Sequence, residues 1–253
     1  MSSILDSPIV VFAVSLVGQW LAAYIGDFFR RRVLPLSRDE REDFDTVQTA
    51  SLTLLALIVG FSFSMAVTRY DQRKNYEESE ANAIGTEYAR GDLLPTEDAA
   101  SMHDLLRQYL DQRISFYETR DQSQIGRIEG DTAKLQGELW SIVSRAAHAQ
   151  PTPVVALAVW GMNDVLNSQG YTQAAWWNRI PIAAWAMMGL IALSCNALLG
   201  YGERRGGLLV LVALPIIVSI SFMLIADIDS PRGGIIRIHP QNLTAVSHTI
   251  KAR

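Results

Sequence analysis

The 253-residue chain is 49% hydrophobic and 19% charged, with a mean hydropathy of +0.13. It is too polar to lie wholly inside a membrane and too apolar for an ordinary soluble domain. A formal net charge of -4 lacks the basic surface that phosphate contacts need, which argues against nucleic acid as a partner, and the single cysteine, Cys195, excludes an intrachain disulfide.

Charge is segregated along the chain. The first apolar run, Pro8 to about Ile25, lies between Asp6 and Asp27. No Lys or Arg precedes it, so the basic start of a signal peptide is missing, and residues 8–26 read as a retained transmembrane helix. Gln19 and Trp20 suit an interfacial anchor. Residues 27–48, with Arg30, Arg31, Arg32, Arg38 and Arg41, read as a basic loop. The second span is 49–68, inside a charge-free stretch from Thr46 to Thr68. Roughly 20 apolar residues are enough to cross a hydrocarbon core of about 30 Å.

No proline falls between Thr49 and Leu93. The second span is therefore expected to continue out of the membrane as one helix until Leu94-Pro95, opening a helical extramembrane insert over 69–178. Met102, Leu105, Leu106, Tyr109, Leu110 and Ile114 recur at helical spacing. So do Ile125, Ile128, Leu135, Leu139, Ile142, Val143 and Ala146, and the two stripes predict a helical hairpin. Pro151 and Pro153 introduce a short helix to about Asn167, whose apolar part is too short to span. The third span is 180–200, with Pro181 in its first turn and Trp176, Trp177 and Trp185 as an aromatic belt. A tight link at Tyr201–Gly207 leads to the fourth span, 207–226, which Pro215 should kink. Residues 227–253 read as extended chain and then a tail. The expected class is an all-α integral membrane protein of four transmembrane helices, with the insert between the second and third. The arginines of the two short connections, including Arg204 and Arg205, place those loops in the cytoplasm of a bacterial inner membrane, with termini and insert outside.

Little in the chain points to catalysis. His103, His148, His239 and His248 share no metal-ligand spacing, the Gly pairs at Gly206 and Gly233 lack a phosphate-loop context, and no membrane serine has an activating neighbour. The expectation is no enzyme and no cofactor. Two features stand out. Thr53, Gly60, Ser64 and Thr68 form a small, polar face on the second span, which either packs helices or lines a pore, with Phe61 and Phe63 as constriction candidates. Asp227 and Asp229, ahead of Pro231 and Arg232, are either a helix end held by Asp–Arg pairing or a weak metal (cation) site. Arg69, Asp71 and Arg73 make a charged cluster at the entry to the insert.

Two stretches carry a family resemblance: Val59-Gly-Phe-Ser-Phe-Ser-Met-Ala-Val-Thr-Arg-Tyr-Asp-Gln-Arg73 and Glu80-Ala-Asn-Ala-Ile-Gly-Thr-Glu-Tyr-Ala-Arg-Gly-Asp-Leu-Leu-Pro95. With Asp227-Ile-Asp-Ser-Pro-Arg-Gly-Gly234 they resemble the bacterial bestrophin-like membrane proteins, and more distantly the bestrophin anion channels. The resemblance implies a homo-oligomer, a pentamer if the likeness is close, embedded in membrane lipid and passing inorganic ions. Its second helix would line the pore. The paired tryptophans and the acidic calcium clasp of bestrophins have no counterpart here, and bestrophins keep termini and helical domain in the cytosol. The alternative is a membrane scaffold or signalling protein whose insert binds a partner.

Overall fold

The computed structural model describes residues 5–32, 38–202 and 208–252. Its elements are helices: α1 (Pro8–Arg32), α2 (Arg38–Arg90), a 3-10 turn (Gly91–Leu93), α3 (Thr96–Glu118), α4 (Gln122–Ala149), α5 (Pro153–Trp177), α6 (Ile182–Gly202), α7 (Leu208–Asp229) and α8 (Gln241–Lys251). Among the described residues no strand occurs. Four helical stretches are long and apolar enough to cross a membrane: Pro8–Arg32, Glu40–Leu93, Pro153–Gly202 (which contains α5 and then α6) and Leu211–Asp229. The chain divides into two compact units, one of residues 1–70 and 179–237, the other of residues 71–178 and 238–253.

The first unit holds the apolar helices. In it α1 packs along α6 and against α7. The approach is close because Gly26 sits on the Ala197 carbonyl and Gly200 on the Ala23 carbonyl, so a Cβ at either glycine would overlap backbone. Val11, Leu55, Met188, Cys195, Val218 and Phe222 form the apolar centre. A polar knot joins the same three helices. Gln19 donates to Ser15 Oγ (2.7 Å) and Ser219 Oγ (3.1 Å), and Asn196 donates to Gln19 Oε1 (2.9 Å). Gln19 is therefore a buried side chain of the bundle, not an interfacial anchor. In hydrocarbon an amide must find partners among neighbouring helices, and these spans supply them.

The basic loop expected over 27–48 is mostly helix. Asp27 pairs with Arg30 (2.5 Å) and Arg31 (2.8 Å), three and four residues on, which favours continuation of α1 to Arg32. On the far side α2 already begins at Arg38. The link at 203–207 lies outside the described residues.

The second unit is the helical insert together with the C-terminal segment. Here α3 and α4 pair as the expected hairpin, and Asp121 caps α4 by accepting from the Ser123 N–H at 2.9 Å. The short helix expected to reach Asn167 continues to Trp177, since nothing in that stretch breaks it. It ends before Pro181, which disfavours helical geometry at the residue preceding it. The expected tail is α8, with Leu243, Ser247 and Ile250 buried. Glu77 holds its N-terminus by accepting from the N–H groups of Asn242 (2.9 Å) and Leu243 (3.0 Å) and from the Asn242 amide (2.7 Å). A carboxylate there meets unpaired backbone donors and the positive end of the helix dipole.

Candidate ion pathway

α2 is one helix of 53 residues, with a set of exposed positions in each unit by itself. In the first unit Leu55, Ser62 and Ala66 are buried, while Thr53, Leu57, Gly60, Phe61, Ser64 and Thr68 are exposed. At about 100° per residue those six exposed positions fall within one arc of about 100°. Among the described residues of this unit nothing covers the arc: Phe61 is 65% exposed, and space is open beside Gly60. Phe63 is also exposed, yet it projects about 160° from Phe61, so the two rings cannot close on one axis. Leu57 completes the apolar part of the arc. Sequence reading missed it because a leucine in a span is unremarkable, although its spacing of four from both Thr53 and Phe61 was available.

In the second unit, Asp71, Asn75, Glu78, Ser79, Asn82 and Thr86 are exposed, and by the same helical count they share an arc of about 100° within that unit. Lys74 falls about 40° outside it. The opposite face is buried and heavily charged. Glu80 pairs with Arg113, both fully buried, and accepts from Tyr117 Oη (3.2 Å) and Thr172 Oγ1 (3.1 Å). Burial, and then the Glu80 charge, push the Tyr117 and Tyr109 phenols upward. Burial works against the Arg113 guanidinium, but the Glu80 carboxylate outweighs it and keeps Arg113 raised.

The expected entry cluster does not form. Arg69 lies in the first unit, 3.8 Å from Asp229. Arg73 lies in the second and donates to the carbonyls of Ala175 and Asn178, each at 3.1 Å. Asp71 is exposed, about 160° around the helix from either arginine.

Asp227 and Asp229 lie close in sequence but serve different donors. Asp227 accepts from the N–H groups of Ile235 (2.7 Å) and Ile236 (2.8 Å), folding the chain after α7 into a tight turn rather than extended strand. Asp229 takes the Ile180 N–H on both oxygens (3.1 Å) and faces Arg69 and Arg179 (3.7 Å). Arg179 also pairs with Asp6 at 2.5 Å. Both carboxylates are thus engaged by Asp–Arg and Asp–backbone contacts, the first of the two readings entertained from the sequence. Among the described residues no group of three or more His, Cys, Asp or Glu is placed to hold a metal ion.

The profile of the bestrophin-like domain matches residues 11–243. The chain belongs to the bestrophin-like family. Its fold is similar to that of a bacterial bestrophin homologue from Klebsiella pneumoniae, at 15% identity and a TM-score of 0.61, covering 96% of this chain and 95% of that one. A single-residue variant of that homologue matches likewise, at 15% identity and a TM-score of 0.61, over 94% and 96% of the two chains. A solved membrane protein at 13% identity gives a TM-score of 0.63 over 97% and 96%. No curated protein matches. Family and fold are thus bestrophin-like, and the four long apolar helices fit a membrane protein.

Proposed function

We propose that the chain is the subunit of a homo-oligomeric bestrophin-like ion channel of the bacterial inner membrane, in which the free arc of α2 lines the pathway. The observation that carries this reading is that arc. A membrane helix with one face packed on its own chain and an arc that exposes the hydroxyls of Thr53, Ser64 and Thr68, Gly60, Leu57 and Phe61 suits a ring of copies around water better than lipid. Leu57 and Phe61 form the narrow apolar ring in it. Thr53, Gly60, Ser64 and Thr68 flank them, and Phe63 faces away. A pentamer is the stoichiometry that the family suggests.

The resemblance points to anions. The charged groups in the arc beyond the membrane, Asp71 and Glu78, are acidic, and acidic rings favour cations. Purified protein reconstituted in liposomes under a KCl gradient tests both points. Flux, with a reversal potential on the cation side, is the expected result, and Phe61→Ala should raise conductance by relieving dewetting at the ring. A monomer or compact dimer passing no ions would remove the channel and leave the scaffold reading.

A further inference from the structure

In the second unit one carboxylate lacks what every other buried acid there has. Glu87 is fully buried, yet neither Oε1 nor Oε2 has a hydrogen-bond partner. It lies against Gly161 of α5, where a Cβ would overlap both Glu87 Oε2 and Arg90 Nη1, so the glycine makes the space that the carboxyl occupies. Arg90, three residues on, is 3.8 Å away, too far for a hydrogen bond. Asp164 on α5 faces it with a second negative charge. The 3-10 turn and α3 bring Asp92 and His103, which face each other at 3.5 Å. A groove of about 570 Å³ between α2 and α5 is lined by Asn82, Thr86, Arg90, Gly161, Asp164 and Ser168 among others, so Glu87's neighbours Arg90, Gly161 and Asp164 border open space while Glu87 itself stays covered.

An ionised carboxylate in this position would be buried without a donor, at a cost that neutralisation avoids. We propose that Glu87 is a proton-binding site of the extramembrane unit: the neutral acid keeps α2 packed on α5 at Gly161, and loss of its proton loosens that contact. Burial, opposed by Arg90 and reinforced by Asp164, pushes Glu87 up to about 8. Unfolded, it would ionise at its ordinary value near 4.5. Between these two values the folded chain therefore holds the extra proton, so stability falls as pH rises through that window and levels off above it. Solution pH around neutrality would thus control the packing of the helix that carries the free arc.

Infrared difference spectra of the full chain in lipid nanodiscs, titrated between about pH 6 and pH 10, test the site directly. The expected result is a neutral-carboxyl band that disappears with a midpoint near 8 and is missing in Glu87→Gln. Asp164→Asn should move the midpoint down and Arg90→Gln should move it up, responses that a purely structural role would not give. Corrected for the base-catalysed intrinsic rate, amide protection around Gly161 should fall with pH in the wild type and stay constant in Glu87→Gln. A band absent from the titration, or persisting in Glu87→Gln, overturns the proposal. None of these measurements needs the protein to conduct, so they stand or fall apart from the channel reading.

Discussion

Single side chains decide how the second unit holds together. Glu80 and Arg113 are both fully buried, and each is the other's counter-charge. Glu80→Gln keeps the shape but strands the Arg113 charge, so unfolding free energy in detergent should fall by about 3–5 kcal/mol. A denaturant titration showing a loss well under 1 kcal/mol would mean that water reaches the pair. Glu87 differs in kind. Its oxygens have no hydrogen-bond partner, whereas Arg113, Tyr117 and Thr172 hold Glu80. None of this was legible in the sequence of α2. Helical spacing sorts its residues into faces, but only packing shows that Glu77, Glu80 and Glu87 are on the inside.

At the scale of elements, local chemistry did most of the work. Proline-free sequence made α2 one helix, Leu94-Pro95 ended it, and two apolar stripes made the α3–α4 hairpin. The misses came where a partner was needed. The C-terminal helix α8 is short, and isolated helices of that length are marginal in water. It exists because Leu243 and Ile250 are buried and Glu77 caps its start. Glu77→Ala should lower the local opening free energy of residues 241–251 by about 1–3 kcal/mol, read as faster amide exchange confined to that helix. Unchanged exchange would show that apolar docking alone suffices. The spacing of Leu243, Ser247 and Ile250 was a usable signal that the segment was not a tail.

For the whole molecule, the arginine distribution predicts that Arg30–Arg32 and Arg204–Arg205 face the cytoplasm and both termini lie outside. One-sided reporters fused to each end check this. Activity of a cytoplasmic reporter at both termini would reverse the orientation, matching the placement of termini that bestrophins use. The side matters to the proton site, because it determines which compartment's pH Glu87 would sense.

The sequence by itself determined the class. Four apolar stretches, a continuous second helix and an extramembrane helical insert follow from hydropathy, length and proline placement, because a membrane span must satisfy its backbone within its own helix. It also grouped Thr53, Gly60, Ser64 and Thr68 on one face of α2, since helical periodicity is a property of a single segment of chain. Only the tertiary structure decided which polar groups are used up. Asp227 and Asp229 are spent on backbone and arginine donors, Gln19 is tied into a three-helix knot, and Glu87 is left with no hydrogen-bond donor. Those outcomes depend on atoms from helices distant in sequence, and the free energy of a buried polar group is set by what stands within hydrogen-bonding distance of it.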